Sequence, residues 1–182
     1  MLLAAAVLLA NPSVKPWPIG PGARYLPPAA PAAVRAGAAV GSLRCGTSGR
    51  RFEVHVELFA ARRVVVVPAG IGVAAPLVRS GATVAPKGCS YGVRTLAPGG
   101  VVQVKRRAGL TVADLFRVWG QPLGPNRLAS FRSRSPVRAY VNGRRARGPV
   151  GAIPLSPGDE IVIELGAYVA PHPFFLFPGG AS

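Results

Sequence analysis

The sequence has few acidic residues, few histidines and few cysteines, and each shortage limits the chemistry that it can support. Only six of its 182 residues are Asp or Glu, two are His and two are Cys. General acid–base catalysis needs a titratable group near the working pH with a partner in reach, and few side chains here can supply one. No glycine-rich stretch has the spacing of a P-loop or a dinucleotide-binding loop. We therefore expect a protein that is not an enzyme.

The chain also lacks a long apolar run. No stretch reaches the roughly 18 uncharged apolar residues that a membrane-spanning helix needs. The uninterrupted apolar run at residues 2–10 has the length of a signal-peptide core, although no Lys or Arg precedes it. We interpret residues 1–10 as a clipped signal peptide or membrane anchor, the alternative being a stray apolar end. The expected location is extracytoplasmic, either secreted or anchored to the outer face of the membrane, with membrane contact through this segment only.

Acidic residues are too few to balance the basic ones. The formal charge is +16, from 19 Arg and three Lys against six acids. The basic residues are spread along the chain, so no specific nucleic-acid partner is predicted. A basic surface still attracts anions, so the expected partner is an anionic component of the cell envelope. The alternative is that the basic side chains only form a solvated rim. The candidate anion-binding residues are Arg94, Lys105, Arg106, Arg107, Arg144 and Arg145.

The two cysteines are Cys45 and Cys89. Downstream of an export signal, an even number of cysteines predicts one disulfide. That bond would stabilise the fold by about 4 kcal/mol through chain entropy. The alternative is two unrelated buried thiols in a cytosolic protein. Lipid modification of Cys45 is disfavoured, because Arg44 stands where a lipidation motif needs a small residue.

Composition favours one domain built from short elements. Nearly half of the residues are apolar, which is enough for a packed core, and 23 Gly and 20 Pro favour many turns. Residues 11–44 are rich in Pro, Ala and Gly without a sustained period, which predicts a linker. We predict a single globular domain at residues 45–178 and a short tail at 179–182.

Periodicity within the domain predicts strands and one helix. Thr111 is a good N-cap, Asp114 completes a capping box, and Gly120 ends the helix. Residues 74–88 are predicted to form a loop. The predicted strands are residues 52–59, 63–67, 91–95, 101–105, 137–141 and 160–165. The expected fold is α+β: a small mixed sheet of hairpins with one central helix, and a β-grasp-like arrangement in the C-terminal half.

One strand carries a candidate metal site. His55 and Glu57 are two residues apart and share a strand face, with Glu53 beside them. His172, in the tail, could supply a further ligand. Imidazole and carboxylate groups suit zinc and copper, so one hypothesis is that these four residues bind one of these metals. The alternative is a solvated face that carries one His and two acids.

Motifs spread over residues 45–178 resemble an uncharacterised family of actinobacterial-type secreted or membrane-anchored proteins. They are VHVELF, VPAGIGV, CSYGVRT, VVQVK, TVADLFRVWGQPL, YVNGR, IPLSPGDEIVIELG and PHPFFLFP. The resemblance implies an extracytoplasmic location and agrees with pairing Cys45 to Cys89. Members of that family carry His-rich strand motifs that look like a metal site: a His-x-His pair, and a Leu-His-Thr-His-Asp run followed by Ile-His-Val-Glu.

This sequence departs from most of that histidine pattern. It keeps His55 but has Glu57 for the second histidine of the pair. The second run reads Val-Arg-Thr-Leu-Ala at residues 93–97, and Gln103 and Lys105 replace the His and Glu that follow. The resemblance therefore implies a divalent-metal site that is weak or lost, and no resident cofactor is expected.

The leading expectation is an uncharacterised extracytoplasmic, non-catalytic domain that serves as a cell-envelope binding or structural module. One alternative is a metal-binding domain for copper or zinc with a degenerate site. The other is a basic module that binds nucleic acid or an anionic polymer, which would lose affinity steeply with added salt.

Overall fold

The computed structural model describes residues 23–47, 49–106 and 109–177. The predicted leader at residues 1–10, the start of the predicted linker, Arg107 and the predicted tail at 179–182 lie outside these residues. The helices are α1 (Ala32–Arg35) and α2 (Val112–Trp119), with a 3₁₀ turn at Val150–Ala152. The strands are β1 (Ala23–Tyr25), β2 (Arg51–Ala60), β3 (Arg63–Val65), β4 (Leu77–Ser80), β5 (Thr83–Pro86), β6 (Val93–Arg94), β7 (Val101–Lys105), β8 (Leu123–Gly124), β9 (Arg127–Leu128), β10 (Phe131–Arg132), β11 (Arg138–Val141), β12 (Arg144–Arg145) and β13 (Glu160–Leu165).

An eight-stranded mixed sheet is organised around β2. Its first half pairs antiparallel with β7, and its second half pairs antiparallel with β3 on the same edge. On the other edge β2 pairs in parallel with β13, which pairs antiparallel with β11. Strands β1, β6 and β12 extend this sheet, and β8–β10 form a small separate one. Mostly β-structure with two helices and mixed sheets confirms the α+β prediction.

The apolar face of the main sheet packs against α2. Alternate residues of β2, such as Val54 and Val56, are buried together with Leu115 and Trp119 of the helix. The predicted capping box is confirmed, since the Asp114 carboxylate accepts a hydrogen bond from the Thr111 backbone N–H at 2.9 Å. This packing of one helix on one sheet face forms the main core.

Two loop predictions are wrong within the described residues. The predicted loop at 74–88 contains the hairpin of β4 and β5, which alternation could not reveal because Val78 and its neighbours are largely exposed. The predicted linker at 11–44 contains β1 and α1, and its Val34 and Leu43 are buried in the core. The folded region therefore begins earlier than residue 45, because two isolated apolar side chains in a Pro- and Ala-rich stretch fill core positions.

The second face of the main sheet is polar near its centre and is covered by the chain after β13. The N–H of Val169 donates to the Glu164 carboxylate at 3.0 Å, and Arg138 donates to the carbonyl of Gly166 at 2.8 Å. Contacts of His172 with Glu57 and of Phe175 with His55 then lay residues 166–177, here called the C-terminal tail, across β2. Burial of polar side chains under this tail creates the candidate site.

Cys45 and Cys89 form a disulfide, with Cα atoms 5.4 Å apart. The predicted pairing is thus confirmed, and such a bond is typical of proteins in oxidising compartments. In the parts of the chain that the structure describes, no helix is both long enough and apolar enough to cross a membrane.

Candidate metal centre under the C-terminal tail

Strands β2 and β13 bring His55 and two glutamates together on the covered sheet face. His55 and Glu57 point the same way along β2, and Glu160 is the cross-strand partner of His55 on β13. One ligand atom from each of the three residues lies within 4.8 Å of the other two. All three are buried, with His55 exposed by only 2 % and Glu160 by 1 %. The parallel pairing of two distant strands therefore assembles a compact set of nitrogen and oxygen donors.

The two nitrogens of His55 have different partners. Nε2 lies 2.8 Å from the backbone carbonyl of Gly99, and Nδ1 lies 2.6 Å from Oε2 of Glu160. Because a carbonyl oxygen only accepts hydrogen bonds, Nε2 carries a proton and donates it to Gly99. Nδ1 is then the nitrogen that can share a proton with Glu160 or bind a cation.

Glu160 has one carboxylate oxygen without a partner. Oε2 contacts His55, whereas Oε1 is buried and makes no hydrogen bond to any described residue. Burial raises the pKa of Glu160 above its ordinary value, and the nearby charge of Glu57 adds to that effect, while the hydrogen bond and charge of His55 oppose it. A desolvated oxygen beside a second carboxylate is costly unless a cation or a proton neutralises it.

His172 reaches the same cluster from the tail. Its Nδ1 lies 2.6 Å from Oε2 of Glu57. The side chain of His172 is half-exposed, whereas that of Glu57 is buried. Two His–Glu contacts thus meet on one sheet face, one fully buried and one at the solvent boundary. Three of the four residues in the predicted metal site, His55, Glu57 and His172, therefore lie close together.

Glu53 lies outside the cluster, so its inclusion among the metal ligands is corrected. Its carboxylate accepts a hydrogen bond from Nε2 of Gln103 at 3.1 Å, and it is cross-strand partner to that glutamine. Glu53 lies before the part of β2 that pairs with β13, whereas His55 and Glu57 lie within it, beside Glu160. Glu160 takes the place that the sequence assigned to Glu53.

Only an indirect signal in the sequence points to Glu160. It is the first residue of a correctly predicted strand and one of only six acids in the chain. Three of those six, Glu57, Glu160 and Glu164, are buried on the covered sheet face. Their proximity depends on β13 lying beside β2, which local periodicity does not reveal.

A glycine turn and an aromatic ring enclose His55. The Gly99 carbonyl reaches Nε2 because Gly100 has a φ of +91° and no side chain: a Cβ there would lie 2.3 Å from the carbonyl oxygen of Val56 and 3.1 Å from His55 Nε2. On the other side the ring of Phe175 stacks on the imidazole. The turn at residues 96–100, predicted only as a strand connection, is part of the site.

The predicted anion-binding residues do not form one surface. Arg144 and Arg145 are exposed on β12, and Arg106 is exposed at the end of β7. Arg94 and Lys105 are half-buried near each other and near Arg51, which is not among the predicted anion-binding residues. Arg107 lies outside the described residues.

The donor set defines the available chemistry. One imidazole nitrogen and two carboxylates can neutralise and coordinate a divalent cation, and His172 can add a second nitrogen. Comparison with protein families, with characterised proteins and with solved structures gives no match for this chain.

Proposed function

We propose that this protein is a non-catalytic, extracytoplasmic domain that binds one divalent transition-metal ion, zinc or copper, through His55, Glu57 and Glu160. The observation that carries this proposal is the buried, unpartnered Oε1 of Glu160 beside two further donors. His172 would complete the site from the tail. Imidazole suits both metals, and two carboxylates balance the charge of a divalent ion.

The surroundings of His55 support a metal ligand rather than an ordinary core histidine. Metal-binding histidines commonly donate their second ring N–H to a backbone carbonyl or carboxylate, which fixes the ring and the tautomer. The bond from Nε2 to Gly99 at 2.8 Å supplies that arrangement. It leaves Nδ1 facing Glu160, where this nitrogen can coordinate a metal ion together with the carboxylate.

The scarcity of acids adds weight to the same proposal. In a chain with a formal charge of +16, a solvated glutamate would be stabilised almost anywhere on the surface. Glu57 and Glu160 are instead desolvated side by side. Buried charges in proteins are paired or bind metals, and the two histidines alone leave Glu160 Oε1 without a partner.

The proposed compartment is outside the cytoplasm, either secreted or anchored to the outer face of the membrane. The disulfide between Cys45 and Cys89 supports an oxidising environment. The apolar run at residues 2–10 and the resemblance to a family of secreted or anchored proteins support it as well. That family resemblance also supports a metal role for the covered sheet face, in a form with fewer histidines.

We infer a β-grasp-like arrangement of the four longest neighbouring strands of the main sheet. The order β7–β2–β13–β11, with β2 and β13 parallel at the centre, supports it, as does the position of α2 between β7 and β11 along the chain. The arrangement would then use a strand from each half of the chain rather than the C-terminal half alone. The first of these four strands along the chain, β2, lies beside the last, β13, and these two strands carry the metal donors.

Calorimetric titration of Zn²⁺ and Cu²⁺ into EDTA-treated protein tests the metal proposal. We expect one site per chain in the wild type, and a loss of affinity of about tenfold or more in E160Q and E57Q, because each loses an anionic ligand. The matched control is E53Q, which makes the same change on the same strand face but outside the cluster. Equal affinity in E160Q and the wild type, or no saturable binding in the wild type, would contradict the proposal.

A further inference from the structure

Three basic side chains meet at the end of the covered sheet face that is distant from Glu160. Arg51 on β2 is the cross-strand partner of Lys105 on β7, and Arg94 on β6 is the partner of Gln103. Cross-strand partners have Cβ atoms about 5 Å apart. All three basic residues are half-buried, so this cluster differs from the exposed arginines elsewhere on the chain.

No acidic side chain neutralises this cluster in the described part of the chain. The four ion pairs found there involve other residues. The nearest acid along the sheet, Glu53, is separated from Arg94 by an amide: Gln103 accepts from Arg94 Nε at 3.0 Å and donates to Glu53 at 3.1 Å. The positive charges are therefore held together without a compensating carboxylate.

Arg51 is held rigidly by backbone carbonyls. Its two terminal nitrogens donate to the carbonyls of Tyr91, Gly92 and Gln103 and to the hydroxyl of Ser90, at 2.7 to 3.2 Å. Each of its four terminal N–H groups thus has an acceptor. Arg51 contributes a fixed positive charge to the cluster rather than open hydrogen-bond donors.

The remaining donors belong to Arg94 and Lys105, which are half-buried, and to Ser90, which is only 3 % exposed. The Ser90 hydroxyl accepts from both Arg51 and Arg94, at 3.1 and 3.2 Å, which leaves its own proton free to donate. Arg94 uses only Nε and one N–H of Nη1, so Nη2 remains available. The ammonium of Lys105 makes no hydrogen bond or ion pair with any residue that the structure describes.

Gly46 and the Cys45–Cys89 disulfide border one side of this cluster. A Cβ at Gly46 would lie 3.3 Å from Lys105 Nζ, so a larger residue there would crowd the ammonium. Gly46 and Ser90 exchange two backbone hydrogen bonds, and each directly follows a cysteine of the Cys45–Cys89 disulfide. The disulfide therefore fixes the backbone that carries the serine hydroxyl.

We propose that Arg94, Lys105 and Ser90, with the fixed charge of Arg51, form a binding site for a tetrahedral oxyanion of the phosphate class. Arginine presents planar paired donors to phosphate oxygens, lysine adds a compact charge, and the hydroxyl adds a third type of donor. The site is separate from the metal centre and does not depend on it.

Mutual repulsion within the cluster supports the same conclusion. Burial and the neighbouring Arg94 lower the pKa of Arg51 to about 10. Burial, Arg51 and Arg94 together lower the pKa of Lys105. An anion bound among these groups would relieve the repulsion and stabilise the folded state.

Titration of inorganic phosphate into EDTA-treated protein at constant ionic strength tests this site. We expect one saturable site, weakened about tenfold or more in R94Q and in K105Q, because each loses a charge-assisted hydrogen bond. The matched control is the double variant R144Q/R145Q, which removes two exposed charges and should change the affinity by less than about twofold. Similar weakening in the control, or no saturable binding, would overturn the proposal by indicating general electrostatic attraction.

A second measurement keeps the test independent of variant folding. In wild-type protein, phosphate should shift the NMR signals of the Ser90 amide and the Arg94 side-chain Nε–H, and leave the Arg145 amide unchanged. Shifts spread evenly over the exposed arginines would contradict a defined site. The titration is then repeated with glycerol 3-phosphate and with vesicles containing phosphatidylglycerol. Binding of glycerol 3-phosphate without binding of vesicles indicates a small soluble ligand. Vesicle binding that R94Q abolishes indicates a lipid headgroup.

Discussion

The ring of Phe175 lies flat on the imidazole of His55, with centroids 3.7 Å apart and planes inclined by 11°. Phe175 belongs to the C-terminal tail and His55 to the central strand, so the contact joins residues 120 positions apart in the sequence. The same tail carries His172 to Glu57. The tail thus forms the cover of the candidate metal centre and supplies one of its donors.

Replacing Phe175 with alanine should open the metal centre without removing a ligand. We expect the bound ion to transfer to an excess of chelator about tenfold faster or more, because water and chelator reach His55 once the stacked ring is absent. Stopped-flow absorbance with a coloured chelator measures this rate. Phe174→Ala is the control, since Phe174 is 66 % exposed. Equal rates in both variants would mean that the tail does not limit access.

The turn beside His55 should tolerate no side chain at Gly100. Gly100→Ala would place a Cβ against the Val56 carbonyl at a φ of +91°, and we expect a loss of about 3 kcal/mol or more in the free energy of unfolding. Gly158→Ala also has a positive φ, +76°, but meets no atom within 4 Å, and should cost about 1 kcal/mol. Urea unfolding compares the two. Similar losses would show that close packing at the Gly99–Gly100 turn is unimportant.

Removing the disulfide should destabilise the fold. For cysteines separated by 44 positions, the chain-entropy treatment gives a loss of about 4 kcal/mol in the double variant C45A/C89A. Guanidinium unfolding under non-reducing conditions measures it. A reducing agent should shift the unfolding midpoint of the wild type and leave that of the double variant unchanged. A wild type that is insensitive to reduction, with two thiols open to alkylation, would contradict both the bond and the proposed compartment.

Stability should depend on pH through Glu164. Burial raises the pKa of Glu164 above its ordinary value of 4.5, although the Val169 N–H and Arg138 oppose that effect. The folded state then binds this proton more tightly than the unfolded state, so the stabilising contribution is complete below about pH 4.5 and is lost as the pH rises through the raised pKa. In EDTA, the wild type should therefore lose stability relative to E164Q as the pH rises from about 4 to neutral. A difference that does not change with pH would contradict the raised pKa.

The elements of this fold that depend on local sequence were predictable. Strand β2 follows from its alternating pattern, and α2 follows from Thr111 and Asp114 together with an apolar helical face. Elements held by tertiary packing were not. Strand β1 pairs with β3 across a long separation, and the exposed hairpin of β4 and β5 carries little apolar alternation.

The candidate site was predictable only in part for the same reason. His55 and Glu57 share a strand face, which spacing alone indicates. Glu160 joins them through the parallel pairing of β2 with β13, and Phe175 joins them through the course of the tail. Spacing points to Glu53 and not to Glu160 because neighbours in sequence are visible without a fold, whereas neighbours across strands are not.

The metal content of the native protein is the decisive measurement for the proposed zinc or copper site. Wild-type protein prepared without chelators and dialysed extensively would be analysed by mass spectrometry for zinc and copper, alongside E53Q and E160Q. We expect close to one ion per chain in the wild type and in E53Q, and a large loss in E160Q. Wild-type protein that retains no more metal than E160Q would contradict this expectation.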